Sequence, residues 1–438
     1  MSLLSLIDRF PFGHPAQKGF FLYSKISPDF LRGMEEENFR KTVRFVARHS
    51  PFYQKEFKKH QIDASRVRTP QDLGDFFTTA EDIRRDPEAF LCGRPDTAYE
   101  TTGTTSKKTK RVYFSRAEVN EAGWAGAVGL WGLGIRPTDR IASAFDYSFW
   151  VSGPVLQAAC KVLGCFQIEA SRIAPEEFYE RVSDYGLTVI VGDPSWLVRL
   201  SEIAEMSGTD NWRLKLMIGG GENLTESARE YIERVWKCDL ILSYGQTEAF
   251  GAIGMESLAK DGYHLNEFHN FFEIIHPDSD GYGELVYTTL NRRVMPLVRY
   301  RSGDITRFIK GSSKSGLPGR RIGKLKGRID EWTPTAVGNL APWMFEPVFR
   351  KIDGITDDWQ VAIDKEDNKD LIEFRMESSN GLEHSEIRDR FLLTFKNELP
   401  DVWKLVEMKL CRLETKVLPK GSLRGPRKLR RIVDNRKF

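Results

Sequence analysis

The sequence predicts an α/β protein: a large N-terminal domain with parallel-rich sheet, crossover helices and a β-rich subdomain, then a small α+β C-terminal domain. Three observations predict it. From about residue 111 to residue 300, short apolar strands alternate with helical stretches, the order that builds parallel sheet. After Gly283 the texture turns β-rich. The chain has 438 residues, more than a single core usually serves, so two or three domains are expected.

Residues 28–90 read as helical and polar, with Phe39, Val43 and Val46 spaced to share one buried face. Arg140–Phe145 reads as a strand and Val155–Leu163 as a helix. Leu187–Gly192 is a buried strand ending in glycine, and a helix over Pro194–Ser207 follows. Leu214–Ile218 is the next strand, running into Gly219-Gly220-Gly221-Glu222. A helix over Thr225–Val235 leads to the strand Asp239–Tyr244. Glu284–Thr289 and Pro296–Tyr300 read as strands of the β-rich region. Gly311–Gly327 is rich in Gly, Lys and Arg, and the domain boundary falls near Asp330, giving domains 1–329 and 330–438. The second domain is expected to hold strands at Trp359–Asp364, Leu371–Met376 and Leu405–Leu413, with a helix over Glu383–Leu399.

Composition excludes several classes. The formal charge of +3 is too near balance to steer the chain to nucleic acid or an anionic membrane. A mean hydropathy of −0.42 and the lack of any apolar run of membrane-spanning length predict a soluble protein with no membrane partner. The short apolar N-terminus lacks a basic leader and is a poor signal peptide. Cys92, Cys160, Cys165, Cys238 and Cys411 are scattered and odd in number. They predict reduced thiols and a cytoplasmic location rather than a disulfide framework or zinc knuckle.

Four polar clusters are candidates for chemistry. Thr101-Thr102-Gly103-Thr104-Thr105-Ser106, followed by lysines, is a loop rich in hydroxyl and N–H donors suited to polyphosphate oxygens. It lacks the Walker spacing, and a plain surface linker is the alternative. At the end of strand 239–243, Tyr244 can stack on a base and Gly245 permits close backbone approach. Thr247 and Glu248 then follow at a spacing that suits a phosphate and its Mg²⁺; an ordinary strand–turn is the alternative. Asp304, after Ser302-Gly303, can accept from two ribose hydroxyls or close a β-turn. The basic tail from Leu418 to Arg431 reads, taken alone, as a solvated or nucleic-acid-binding end.

The order of these clusters is more informative than any one of them. A Thr/Ser-Gly loop, Gly-Gly-Glu, Tyr-Gly-x-Thr-Glu, Tyr-Arg-x-Gly-Asp, Gly-Arg-x-Asp and a terminal lysine resemble the adenylate-forming superfamily. Within it, the chain resembles the phenylacetate–CoA ligase family. Lys41–Tyr53, Phe77–Ile83, Arg321–Arg328 and Arg431–Arg436 carry that likeness outside the catalytic motifs, so it spans roughly residues 38–438.

The resemblance implies an enzyme that activates a carboxylic acid with ATP and Mg²⁺ and passes the acyl group to a thiol such as coenzyme A. Thr101–Ser106 would grip the β- and γ-phosphates, with Gly221 and Glu222 also beside the nucleotide. Tyr244 would stack on adenine, Thr247 would touch the α-phosphate and Glu248 would hold Mg²⁺. Asp304 would bind ribose, with Arg328 close by. Lys428 would bridge the carboxylate and α-phosphate, and the small domain would be mobile about the hinge Asp330. The acyl pocket would draw on Phe145, Asp146, Tyr147, Trp150 and Gly220. By likeness to peptide-synthetase adenylation domains, Asp146 would pair with a substrate amine; capping of its own turn is the alternative. A homodimer fits the family.

Departures from the family pattern bear on the acceptor. Ser106 stands for the usual Gly, Lys108 for Pro, and Arg427 for the Gly before the lysine. Ala336–Asn339 replaces an Arg-Gly-Val-Asn loop that faces the site during thiol transfer. Coenzyme A therefore competes with a carrier-protein pantetheine or an amine as acceptor. Residues 249–255 hold no cysteine, so no zinc is expected. A non-catalytic nucleic-acid-binding protein is the competing class, and the near-neutral charge argues against it.

Overall fold

Runs of Val, Ile and Leu bounded by glycine set the framework. The computed structural model describes residues 13–101, 109–329, 333–335, 338–366, 369–379, 384–408, 410–424 and 429–436. In chain order the strands up to Arg328 are β1 (Thr97–Thr101), β2 (Lys110–Phe114), β3 (Arg140–Ser143), β4 (Phe166–Glu169), β5 (Val189–Gly192), β6 (Leu216–Gly220), β7 (Asp239–Gln246), β8 (Gly251–Glu256), β9 (Tyr263–Leu265), β10 (Asn270–Ile275), β11 (Gly283–Thr289), β12 (Tyr300–Thr306), β13 (Phe308–Ile309), β14 (Arg321–Ile322) and β15 (Gly327–Arg328). Contacts divide the chain into two units, residues 1–302 with 306–324, and residues 303–305 with 325–438.

The first unit is built on a nine-stranded sheet in the order β13-β14-β9-β8-β7-β6-β5-β3-β4. β4, β3, β5, β6 and β7 are parallel, and β8, β9, β14 and β13 extend the sheet antiparallel. Parallel neighbours need crossovers. These are the helices Ser152–Leu163, Pro175–Val182, Pro194–Ser207 and Glu226–Trp236. Pro175 and Pro194 open their helices where a missing N–H is harmless. Val189, Ile190 and Val191 are buried on both faces, as expected for a strand covered by helices. β10, β11 and β12 pair in a second sheet, and β1 with β2 forms a hairpin closed by the pair Thr101↔Lys110.

The second unit has its own core. Its sheet runs Cys411–Leu418, Lys369–Ser378, Ile355–Glu366, Ile432–Asp434. Phe345, Phe349, Phe374, Phe391 and Phe395 fill it beneath helices Pro342–Arg350 and His384–Glu398. Phe349 stacks on Trp359 at 4.3 Å.

Two sequence expectations fail here. The expected strand Pro296–Tyr300 begins only at Tyr300, because Arg299 takes a left-handed φ of 48° that no strand residue adopts. The Val298 N–H goes to the Tyr53 hydroxyl instead of a strand neighbour. The expected strand Leu405–Leu413 begins at Cys411, and Pro400–Glu407 is a helix. There Val402, Leu405 and Val406 face the core at helical spacing. No described helix is long and apolar enough to cross a membrane.

The helix Pro28–His49 buries Phe39, Val43 and Val46 fully, and Glu35 with them. Burial pushes the Glu35 carboxyl up to about 8, against the Arg320 guanidinium that pairs with it and with help from the Glu267 carboxylate. The folded chain thus holds this proton more tightly than the unfolded chain. The group's contribution to stability is greatest below its ordinary value of 4.5 and is lost as pH rises toward 8. Thermal unfolding from pH 5 to pH 8.5 should show the wild-type melting temperature falling relative to Glu35→Gln, which carries no titrating proton there. Parallel curves would rule this out.

Candidate active site

The parallel strands place their carboxyl ends along one edge of the sheet, where open α/β sheets bind ligands. β3 runs into Phe145, Asp146 and Tyr147, and β6 into Gly220, Gly221 and Glu222. β7 runs into Tyr244, Gly245, Thr247 and Glu248. Gly220 lies opposite Ser243 in register. A Cβ on Gly220 would meet Ser243 Oγ at 2.6 Å and Phe145 Cζ at 3.3 Å, so this strand end has no room for a side chain. Gly221 has φ 88°, and Glu222 Oε2 accepts from Ser195 N–H at 3.1 Å. Tyr244 is buried at the end of β7, tilted against Tyr263 with centroids 6.2 Å apart. Thr247 is buried at the start of the short 3₁₀ turn Thr247–Ala249.

The segment after β3 folds back on itself. Gly153 N–H donates to Asp146 O at 3.2 Å. A Cβ on Gly153 would lie 2.4 Å from that oxygen, so only glycine fits. Asp146 Oδ1 accepts from Ser148 N–H at 2.6 Å and from the Ser148 hydroxyl. That is the turn-capping role the sequence left open as the alternative to amine binding. Tyr147 OH accepts from Gln167 Nε2 at 3.1 Å, and Trp150 is half-buried.

Beneath this edge lies a buried charged cluster. Glu248 is 2% exposed. Its Oε1 accepts from Lys110 Nζ and, at 2.7 Å, from the Tyr300 hydroxyl. Lys110 Nζ is also 3.1 Å from that hydroxyl. Arg292 donates through Nη1 to Glu248 O and through Nη2 to Tyr113 O at 3.3 Å. Its guanidinium lies 4.2 Å above the Phe114 ring. Burial by itself would raise the Glu248 carboxyl, but the Lys110 ammonium and the Tyr300 hydroxyl hold it below the usual carboxylate range. Burial pulls Arg292 down to about 10, which leaves it charged at neutral pH.

Tyr300 is held from behind. Arg299 binds Glu273 through two bonds of 3.2 and 3.0 Å and Gly74 O at 2.6 Å. Tyr53, Thr78 and the Val298 backbone form a closed hydrogen-bond set beside it. The left-handed Arg299 is thus over-determined, the usual condition for such a conformation to persist.

In the second unit, Asp304 is buried and paired with Arg328 Nη1 at 3.1 Å, its cross-strand neighbour between β12 and β15. Thr101 closes the β1–β2 hairpin, and its Oγ1 is buried with no hydrogen-bond partner. Thr102, Gly103, Thr104, Thr105, Ser106, Asp330 and Lys428 lie outside the described residues. The sequence reading missed Lys110, Arg292 and the role of Tyr300. The alternation of β2 held a signal, because Lys110, Val112 and Phe114 share one buried face.

The carboxylate the resemblance assigns to Mg²⁺ does not fit a resident metal. Mg²⁺ wants octahedral oxygen donors, and one oxygen of Glu248 already takes an ammonium and a phenol. No cluster of three metal-ligating side chains occurs among the described residues.

Several known proteins are similar to this chain. Residues 97–267 match the family model for AMP-binding enzymes. Phenylacetate-coenzyme A ligase of Pseudomonas putida is 28% identical over 384 residues, covering 84% of this chain and 86% of the relative. The Escherichia coli (strain K12) protein of that name is 27% identical, covering 82% and 86%. Among solved structures, a 2-hydroxyisobutyryl-CoA ligase in complex with R3-HIB-AMP shares the fold at TM-score 0.79 and 18% identity, over 94% of this chain and 91% of the other. O-succinylbenzoate coenzyme A synthetase from Bacillus subtilis shares it at TM-score 0.53 and 18% identity, over 77% and 69%. Residues 97–267 thus carry the likeness to AMP-binding enzymes. Over most of its length the chain is similar to phenylacetate-coenzyme A ligases.

Tyr300→Phe should destabilise the protein by about 1–2 kcal/mol in urea unfolding, because it removes one of two side-chain donors to a buried carboxylate. A change within error would mean that the hydroxyl does not serve Glu248.

Proposed function

We propose that this chain is an AMP-forming acid–thiol ligase acting on an aromatic carboxylic acid, with coenzyme A as the acceptor. The observation that supports it most is a juxtaposition within the first unit. The β6 and β7 carboxyl ends stand over a buried cluster holding two cations, Lys110 and Arg292, and one carboxylate, Glu248. A buried excess of positive charge suits a polyphosphate.

In the first step an oxygen of the acid attacks the α-phosphorus of ATP, the bond to pyrophosphate breaks, and acyl-AMP forms. Negative charge builds on the α-phosphate oxygens, and fixed donors lower that cost. Thr247, at the turn after β7, is our candidate donor, and Tyr244 our candidate for the adenine ring. The resemblance assigns ribose to Asp304 and the reacting oxygens to Lys428. In the second step the coenzyme A thiolate attacks the acyl carbon and AMP leaves. An aromatic acid is favoured by the rings of Phe145 and Tyr147 at the end of β3. It is also the class in the names of the phenylacetate-coenzyme A ligases.

ATP–pyrophosphate exchange over a panel of aryl, amino and fatty acids tests this reading. We expect exchange with aryl acids and a coenzyme A thioester as product. No exchange with any acid would overturn it. Lys428→Ala should lower exchange by roughly a hundredfold or more, the usual cost of losing one charge-stabilising donor. Gly220→Val should raise the KM for the acid far more than that for ATP. Equal changes in both would remove Gly220 from the acid pocket.

A further inference from the structure

Building on the acid–thiol ligase reading, we propose that Lys110 is the resident cation of the nucleotide site. Its ammonium takes the place beside Glu248 that the superfamily resemblance gives to Mg²⁺, so Glu248 holds a lysine and is not a metal ligand.

The geometry supports this from three sides. Lys110 Nζ reaches Glu248 Oε1 and the Tyr300 hydroxyl, and the Tyr300 hydroxyl donates to the same carboxylate oxygen. A metal at that oxygen would have to displace both donors and leave a buried ammonium unpaired, which is strongly unfavourable. An ammonium has three N–H donors. Two serve Glu248 and Tyr300, and the third has no partner among the described residues. The cross-strand neighbour of Lys110 is Thr101, whose Oγ1 is buried and unpartnered. The last described pair of the hairpin thus carries two unused donors, one on each strand. A polyphosphate oxygen is the acceptor that suits both.

Arg292 reinforces the arrangement. It grips the Glu248 carbonyl oxygen rather than its carboxylate, so the carboxylate is left to Lys110 and Tyr300. The division of labour follows. Glu248 and Tyr300 orient the ammonium, Lys110 presents it, and any divalent ion is held by the nucleotide's phosphates.

Mn²⁺ titration followed by electron paramagnetic resonance separates this from metal ligation. It would use wild type, Glu248→Gln, Lys110→Met and the double variant, without nucleotide and with α,β-methylene-ATP. We expect Lys110→Met to bind Mn²⁺ about tenfold or more tightly than wild type without nucleotide, and the double variant to lose that gain. With the ATP analogue, Glu248→Gln should change Mn²⁺ affinity by less than about threefold. A loss of about tenfold or more in Glu248→Gln, at the size expected for a true ligand environment, would overturn the proposal. So would a Lys110→Met protein with wild-type Mn²⁺ affinity. If Lys110→Met does not fold, the wild-type and Glu248→Gln comparison decides. Exchange retained in Lys110→Arg but lost in Lys110→Met adds a charge-rescue readout. Absent exchange in the wild type would sink the ligase reading while leaving the nucleotide-free Mn²⁺ arms to judge Lys110.

Discussion

The contact between the Lys110 ammonium and the Glu248 carboxylate is the constraint on which the candidate site depends. Neither group is tenable alone at its depth, since each buried charge needs its partner. Satisfying both fixes three distant segments at once: the second strand of the hairpin, the turn after β7 and the first residue of β12. Arg292 adds a fourth by gripping the backbone of that turn. The strained φ of Arg299 belongs to the same logic. Its guanidinium is locked on Glu273 and Gly74, and this sets where the neighbouring Tyr300 hydroxyl arrives.

Much of the sheet was legible in the chain. The run from Leu187 to Gln246 could be read because its strands are short, apolar and closed by glycine, and its helices begin with proline or threonine. The expected helix Pro194–Ser207 coincides with the observed one. Local pattern failed where a tertiary contact overruled it. Pro296–Arg299 looked extended until Tyr53 and Glu273 claimed its polar groups. Leu405–Leu413 mixed a helical stripe with a strand start, and apolar content alone does not separate the two.

The site was legible only in outline. Motif order located Gly220, Tyr244, Thr247 and Glu248 on one strand edge, because they sit at strand ends that glycine marks. It could not show what faces Glu248, since that partner comes from a strand 138 residues away. A lysine in a run of lysines reads as solvated. Only the period of two in β2, with Val112 and Phe114 on the same face, hinted that Lys110 points inward. Asp146, which looked costly to bury, has one carboxylate oxygen engaged locally by Ser148.

The bare end of β6 has a consequence for how such a protein changes over time. At Gly220 the ladder is held by main-chain groups, while the adjoining space is bounded by Ser243 and Phe145. A side chain added there would press on Ser243 and Phe145, so change at this corner has to begin in those two neighbours. The shape of this corner is therefore open to drift at positions 145 and 243 and closed to it at 220.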